Sequence, residues 1–352
     1  MARRWHTCWL TLLIVLSAAY RPGFATEADE TPCLGVLSFF YENDVFVGKD
    51  QNYTSGVGFS WTSDDVARYG RKNFMRKVVH AFSFLPKIGH DDYRSFLSFT
   101  LGQEMYTPED IEAPWPPPDQ QPYAGVLFLD TTVYAHGRRS MHAYTLRVGC
   151  VGPCSGAEGL QTWIHGWTPA PVPEGWDHQL SNEPLLNLDY QYYRRLLRST
   201  RPRRPHYDFA AHVGGGLGNY FTGANAGFVA RLGYPLPDNY SVANLRFGGG
   251  SWLVGMTPPS QGSGWYGYAF IGLEGLAVAR FLPTDGNTFK DSPSVEREDF
   301  FGNLSTGLVV GYRRILFSWK LTNLRGLVRS SDSNTDDYGT FTLSWYFGGK
   351  AR

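Results

Sequence analysis

Four polar side chains in this sequence, Asn43, Asp44, Thr54 and His165, are of the types that metal-assisted hydrolysis requires. Carboxylate, amide and hydroxyl oxygens suit a hard cation such as calcium better than zinc, which prefers nitrogen and sulfur ligands. An imidazole can activate a water molecule as a general base. The spacing differs from that of the helical EF-hand calcium loop. The residue types alone therefore leave open a simpler interpretation, a polar hairpin tip rich in turn-forming residues.

His165 has a second interpretation because it lies between Trp163 and Trp167. Amphipathic rings gather at the depth of lipid headgroups, so the imidazole is also compatible with a role as an interfacial anchor. A role as general base depends on a geometry that a sequence does not contain. The residues by themselves leave catalysis and anchoring as alternatives.

The start of the chain predicts export. Residues 1–25 combine a basic beginning, an apolar run from Cys8 to Ala19 and a small-residue ending from Gly23 to Ala25, which is the layout of a secretory signal peptide. The apolar run is too short to cross a bilayer as a mature helix. We therefore expect residues 1–25 to be removed and residues 26–352 to form a single domain.

The composition favours a membrane barrel. The chain has 40 Gly, 21 Tyr, 23 Phe and 11 Trp, so aromatic residues make up 16% although the mean hydropathy is only -0.30. Barrel strands combine these properties because one face contacts lipid, the other contacts a polar interior, and aromatic girdles mark both interfaces. No stretch approaches ~18 consecutive apolar residues, which excludes a helical membrane protein. With 32 basic and 32 acidic residues, nothing indicates a nucleic-acid partner.

Alternation of side chains predicts an all-β fold, a transmembrane antiparallel β-barrel of about twelve strands. From Phe341 to Phe347, for example, Phe, Leu, Trp and Phe alternate with Thr, Ser and Tyr. An even number of strands is what a closed antiparallel barrel needs. The segments lie near residues 34–44, 52–62, 95–106, 123–136, 141–151, 184–197, 206–217, 222–232, 265–280, 304–312, 315–323 and 338–347.

Two segments interrupt the strand pattern. Residues 107–122 contain six prolines, which cannot donate to a continuous strand ladder, so this segment is predicted to be a loop. Residues 155–170 lack alternation and predict a short helix within a long loop, with Gln161 and His165 on one face.

The predicted strands bring the candidate cation ligands together. Asn43 and Asp44 end the first strand, Thr54 opens the second, and the turn between them carries Asp50 and Asn52. Adjacent ends of an antiparallel pair lie close in space, so these oxygens are expected to converge.

Three cysteines, Cys33, Cys150 and Cys154, follow the predicted signal peptide, in a compartment that permits disulfides. Cys150 and Cys154 are close enough in sequence to pair, and we favour that pairing. A zinc site would need more thiols or a partnered histidine. One thiol is left over in either case.

Six groups of motifs, in one order along nearly the whole predicted mature chain, resemble the outer-membrane lipid A 3'-O-deacylase family. None of them is specific alone, but their combined order is. The stretches are END at 42–44 with NYTSG at 52–56 and SW at 60–61, QEMYTPEDI at 103–111, PYAG at 122–125, GCVGPCS at 149–155, QTWIH at 161–165, and GWDHQL at 175–180 with EP at 183–184.

The resemblance implies an active site on the outer-leaflet side of the barrel, between its wall and a helix of an extracellular loop. It implies that His165 is the base that activates water. It also implies that Asn43, Asp44 and Thr54 surround a calcium ion that polarises an ester carbonyl of lipid A, the expected substrate. No Gly-x-Ser-x-Gly elbow is present, so a serine nucleophile is not indicated.

The chain departs from the family at two positions. The arginine before the PYAG motif is Gln121 here, which predicts a weaker hold on a lipid phosphate unless Lys49 or Arg94 substitutes. An arginine introduced at Gln121 is expected to face the lipid headgroup and leave the fold intact. Some relatives carry a carboxylate six residues after the histidine, where this chain has Pro171. A phospholipase with the same chemistry and a non-catalytic barrel or pore are the alternative functions.

Overall fold

The computed structural model describes residues 33–44, 52–68, 73–167, 171–240, 264–325, 327–329 and 335–348, and the predicted signal peptide lies outside them. Twelve antiparallel strands close into one barrel in which β1 pairs with β12. The prediction of a twelve-stranded all-β barrel is confirmed. The strands are β1 (Cys33–Asn43), β2 (Asn52–Ser63), β3 (Arg94–Thr107), β4 (Ala124–His136), β5 (Ser140–Val151), β6 (Glu183–Ser199), β7 (His206–Gly218), β8 (Phe221–Tyr234), β9 (Trp265–Phe281), β10 (Phe300–Tyr312), β11 (Ile315–Arg325) and β12 (Thr335–Gly348).

The two faces of the wall have opposite polarity. On β6, Leu186 and Leu188 point outward and are 59% and 58% exposed, whereas the intervening Asn187 and the following Asp189 point inward and are buried. Successive side chains of a strand point to opposite faces, so this alternation places apolar groups outside and polar groups inside. A soluble barrel would show the reverse, and the arrangement is that of a barrel in lipid.

The interior of the barrel contains a connected group of buried charges. Arg147 donates to Asp130 across 2.8 Å and to Glu104 across 3.0 Å, and its guanidinium lies 3.8 Å from the centre of the Phe128 ring. The hydroxyl of Tyr106 donates to the same Glu104 across 2.9 Å. A buried charge is tolerated when it is paired and hydrogen-bonded in this way. These side chains occupy the lumen and connect strands that do not neighbour one another.

In the residues that the structure describes, three α-helices lie in the connections between strands: α1 (Phe74–Ala81) between β2 and β3, α2 (Ala157–His165) between β5 and β6, and α3 (Leu282–Asp285) directly after β9. The helix predicted within residues 155–170 is confirmed as α2. The proline-rich segment after β3 forms the predicted loop. Within the described ranges, none of the helices has the length and apolar character needed to cross a bilayer.

Strand direction defines two rims. The site rim contains the end of β1 and the start of β2, and the terminal rim contains the start of β1 and the end of β12. Because strands alternate in direction, α2 and Gln121 lie at the site rim, whereas α1 lies at the terminal rim. Arg94 pairs with His136 at the terminal rim. The expectation that Arg94 substitutes for the missing arginine is therefore wrong, and Lys49 lies outside the described residues.

Candidate active site

The hairpin of β1 and β2 brings three of the predicted site residues together. The Asn43 Nδ2 donates to the carbonyl oxygen of Thr54 across 3.1 Å, and the backbone amide of Asp44 approaches the same oxygen at 3.4 Å. Asp44 and Thr54 are 1% and 4% exposed. The three residues are therefore adjacent, with the backbone carbonyl of Thr54 at the centre of these contacts.

An irregularity in β2 explains how Thr54 is aimed. The pairing of β2 with β3 shifts register between Tyr53 and Ser55, so Thr54 is an extra residue in the ladder. Tyr53 points into the barrel and donates to Glu42, whereas Ser55 hydrogen-bonds to Tyr41 on the opposite face. Bulges of this kind re-aim side chains and are enriched beside active sites.

A contact with β3 fixes the Thr54 side chain. Its Oγ1 lies 2.6 Å from the Oγ1 of Thr107, and Thr107 is fully buried. The hydrogen bond ties the proposed cation ligands to the strand that also supports α2. Neither Thr107 nor the bulge is evident from the sequence, because a threonine at a strand end is compatible with many roles.

The loop that contains α2 folds back onto the outside of the barrel wall, where α2 packs on β3 and β4. The Gln103 Nε2 donates to the carbonyl oxygen of Ser155 across 2.6 Å. Met105, which points outward from β3, is 1% exposed because this loop covers it. The helix is therefore seated on the face that elsewhere contacts lipid, as the family resemblance implies.

Gly125 allows the close approach of the helix to the wall. A Cβ atom at this position would lie 2.2 Å from the Oγ of Ser155 and 2.4 Å from the Cβ of Ala157. Such distances are excluded for real side chains, so the glycine of the PYAG motif is required by packing. The disulfide between Cys150 and Cys154 ties the end of β5 to the turn that precedes α2, as favoured from the sequence.

Trp176 holds the other side of the helix. Its Nε1 donates to the Oε1 of Gln161 across 2.7 Å, and its ring packs on Tyr123 with the ring centres 4.9 Å apart. Both Trp176 and Gln161 are 2% exposed. Sequence reasoning placed Gln161 on the same helix face as His165 but assigned no role to Trp176. Both residues belong to motifs that follow the order found in the family, and this order is the sequence signal that could have identified them.

His165 is the last residue of α2 and is half-buried. Its Nδ1 lies 2.5 Å from the carbonyl oxygen of Pro171. A carbonyl oxygen only accepts, so Nδ1 donates in this contact and, in the neutral ring, Nε2 is the acceptor nitrogen. The backbone of Pro171 thus orients the ring at the position where some relatives have a carboxylate.

His165 and the Asn43, Asp44 and Thr54 group lie at the same rim of the barrel. The three hairpin residues are joined directly, whereas the His165 ring is joined to Pro171. The link between the two parts of the site is β3, which carries Thr107 and supports α2.

The donor set fits a hard cation in its chemistry. Asp44 supplies a buried carboxylate, and Asn43 and Thr54 supply neutral oxygens, with no thiolate or imidazole among them. Within the described ranges, no group of three His, Cys, Asp or Glu residues forms a metal cluster. The Oε1 of Gln103 is buried on the same wall and has no hydrogen-bond partner in the part of the chain that the structure describes. It is a further neutral oxygen that sequence reasoning missed. The side chains of Asp50 and Asn52 lie outside the described residues.

Gln121 does not face the membrane. It is fully buried, and its Nε2 donates to the carbonyl oxygen of Pro283 in α3 across 2.6 Å. The expectation that an arginine at this position faces a lipid headgroup and leaves the fold intact is therefore wrong. In the described residues, no carboxylate is hydrogen-bonded to Gln121, so an arginine at this position would bury a positive charge without a partner. An unpaired buried charge destabilises a folded protein.

The loops around the site are acidic. The β3–β4 loop (residues 108–123) and the β5–β6 loop (residues 152–182) together contain seven Asp and Glu residues and no Lys or Arg. These two loops therefore offer no guanidinium or ammonium group to an anionic headgroup.

These features define the class of the protein: a twelve-stranded outer-membrane barrel, apolar outside and polar inside, with its candidate site on the outside of the wall. The family model described as "Outer membrane protein LpxR" matches residues 9–347. The chain therefore belongs to the LpxR family, the lipid A 3'-O-deacylases of the outer membrane, which are ester hydrolases.

One solved structure agrees with the fold over most of the chain. LpxR from Salmonella typhimurium is 17% identical, with a TM-score of 0.72 over 89% of this chain and 100% of that chain. The beta domain of the Bordetella autotransporter BrkA is 10% identical, with a TM-score of 0.45 over 90% of this chain and 100% of that chain. No curated protein matches the sequence.

Proposed function

We propose that the protein hydrolyses an acyl ester of lipid A in a calcium-dependent reaction, with a water molecule activated by His165 and with the site facing the outer leaflet. The observation that carries the proposal is the hydrogen bond from Nδ1 of His165 to the carbonyl oxygen of Pro171. It fixes the tautomer in which Nε2 accepts a proton, which is what a general base must do.

The reaction follows from that tautomer. The Nε2 of His165 takes a proton from water, and the water oxygen attacks the carbonyl carbon of the ester. The ester bond breaks, the fatty acid departs, and the imidazolium returns the proton to the sugar oxygen that leaves. No side chain of the protein needs to form a covalent intermediate.

The buried Asp44 carboxylate, with the oxygens of Asn43 and Thr54, would hold the calcium ion. When bound, calcium would polarise the ester carbonyl and stabilise the negative charge that develops on its oxygen. The bulge in β2 and the hydrogen bond between Thr54 and Thr107 hold the Thr54 side chain against β3. The acidic loops nearby also favour a cation at this rim.

The surface below the site supports a substrate that stays in the membrane. On the same outer face, Leu101 of β3 and Leu129 of β4 are 53% and 39% exposed, and Phe59 of β2 is 56% exposed. Acyl chains can therefore lie along the wall while the ester reaches the polar residues at the rim. This arrangement favours a lipid over a soluble ester.

Mass spectrometry of lipids from cells that express the protein tests the proposal. We expect lipid A that has lost one acyl chain, together with the matching free fatty acid. Accumulation of lysophospholipids with intact lipid A would instead identify a phospholipase. Unchanged lipids in cells that contain the folded barrel and calcium would identify a non-catalytic protein.

A further inference from the structure

The outer wall is also covered at the terminal rim. Leu97 of β3 and Val133 of β4 point outward, yet they are 0% and 2% exposed. Leu101, four residues further along the same face of β3, is 53% exposed. Leu97 and Val133 are buried because α1 and the segment that follows it lie against the outside of the barrel, where Val79 and Ile88 pack on them.

Polar contacts fix this segment in place. The Asn73 side chain caps the start of α1 by accepting from the amide of Met75 across 2.8 Å. The hydroxyl of Tyr144, which points outward from β5, donates to the carbonyl oxygen of Pro86 across 3.0 Å. A helix of eight residues is marginal in isolation, so its stability comes from this packing. The segment is therefore held firmly against the outer wall.

The face of this segment that points away from the barrel combines apolar rings with cations. Phe74 and Phe84 are 63% and 77% exposed, Lys77 and Lys87 are also exposed, and the Nζ of Lys87 lies 5.8 Å from the centre of the Tyr93 ring. We name these four side chains the α1 surface. Exposed phenyl rings next to lysines on an amphipathic segment are typical of an element that lies in the plane of a membrane interface. Since the segment covers the lipid-facing wall, the α1 surface faces the bilayer.

Three other connections at the terminal rim are basic. The connections β4–β5 (residues 137–139), β6–β7 (residues 200–205) and β10–β11 (residues 313–314) contain seven arginines, all exposed, and no acidic residue. The acidic residues closest in sequence to α1 are Asp64, Asp65, Asp91 and Asp92. The three arginine-rich connections are opposite in charge to the two acidic loops of the site rim.

We propose that the α1 surface binds anionic glycerophospholipid in the leaflet opposite lipid A. Phe74 and Phe84 insert at the boundary between headgroups and acyl chains, and Lys77 and Lys87 contact the phosphates. Cations at a membrane surface favour anionic lipids, and amphipathic Lys side chains extend their charged ends to headgroup depth. The occupant is a lipid with a net negative headgroup, and phosphatidylglycerol is the probe. The proposal rests on the orientation given under the proposed function, with the site rim in the lipid A leaflet, but it does not need the esterase reaction itself.

Native mass spectrometry of the full-length barrel, released from bilayers that contain equal amounts of phosphatidylglycerol and phosphatidylcholine, measures the preference. The wild-type protein is expected to retain phosphatidylglycerol. The variant with Lys77→Glu and Lys87→Glu is expected to lose this preference by about tenfold or more. The matched control is Lys290→Glu, an exposed lysine at the site rim, which is expected to retain the wild-type preference.

A second pair of substitutions tests the role of the two phenyl rings. Phe74→Ser with Phe84→Ser should lower retention of both lipids, whereas Phe289→Ser should not, although Phe289 is 74% exposed at the site rim. Heat-modifiable migration on gels confirms that each variant is folded. Equal retention of both lipids by the wild type overturns the proposal, as does an equal loss in Lys290→Glu. A third arm with lipid A in place of phosphatidylglycerol completes the test: retention of lipid A that depends on Lys77 would also overturn it.

Discussion

The outer wall formed by β3 and β4 is covered at both ends, and the two covers differ in chemistry. At the site rim, α2 is held by hydrogen bonds from Gln103 and Trp176 and by a glycine that permits close approach. At the terminal rim, the contacts of α1 with the wall are mainly apolar, through Val79 and Leu97. Hydrogen bonds fix orientation because they are directional, whereas apolar packing is tolerant of small shifts.

The difference distinguishes the proposed catalytic helix, α2, from the proposed membrane anchor, α1. A helix that must present an imidazole at a defined angle needs directional contacts with its support, because catalytic geometry tolerates little displacement. A helix that presents rings and lysines to a fluid bilayer needs only to remain attached. Four substitutions test this comparison.

The largest effect is expected from His165→Gln. Loss of the base should reduce deacylation by roughly 10²-fold or more, while the barrel remains folded and heat-modifiable. His178→Gln is the matched control in the same loop, where the imidazole stacks on Trp115 with the ring centres 4.0 Å apart. Near-normal trimming of lipid A by His165→Gln, measured by mass spectrometry, would remove the proposed base.

The second-largest effect is expected from removal of the buried Asp44 carboxylate. Asp44→Ala is expected to lower activity by about 10²-fold, because a stabilising group for the developing oxyanion is lost with the cation. In the wild type, a strong chelator should abolish activity and added calcium, but not zinc, should restore it. Asp110→Ala, an exposed acidic residue of the same rim, is the control. Chelator-resistant activity would contradict the assignment of calcium.

A smaller effect is expected from Gly125→Ala. The added methyl group meets Ser155 and Ala157, so α2 must shift, with a destabilisation of about 1–3 kcal/mol and a fall in activity. Gly159→Ala is the control on α2 itself, because a Cβ there meets nothing within 4 Å. Thermal unfolding and deacylation assays of both variants measure the difference. Equal activity in the two would show that the position of α2 is not critical.

The smallest effect on activity is expected from a substitution in the packing of α1. Val79→Ala removes two methyl groups from the packing of α1 and should lower stability by about 1–2 kcal/mol. Deacylation in a folded sample should remain within about twofold of wild type, since a buried apolar contact at the far rim leaves transition-state interactions intact. A large fall in turnover with normal folding would mean that the two covers are coupled.

Much of the fold was predictable because it depends on alternation. The segment from Phe341 to Phe347 reads as a strand in sequence and is one in the structure. The helix α1 was not predicted, because eight residues contain too few turns for a reliable periodic signal. Its stability depends on Leu97 and Val133, which are distant in sequence.

Some features of the candidate site were also predictable from the sequence, and others were not. The adjacency of Asn43, Asp44 and Thr54 follows from the ends of adjacent strands and was predictable, whereas their role as cation ligands stays a prediction. The partner of His165 was not, since a backbone carbonyl leaves no signature in the residue type. Gln121 and Arg94 were assigned wrongly because their rims and burial depend on the closed topology.

The buried charges around Arg147 have a consequence for the permeability of the cell envelope. The guanidinium and its acidic partners are buried, so side chains and not water fill the lumen at their level. A barrel filled at this level, with its proposed site on the outer wall, would add no wide path for detergents or antibiotics at that level. The proposed reaction would then modify surface lipids and leave the permeability barrier intact.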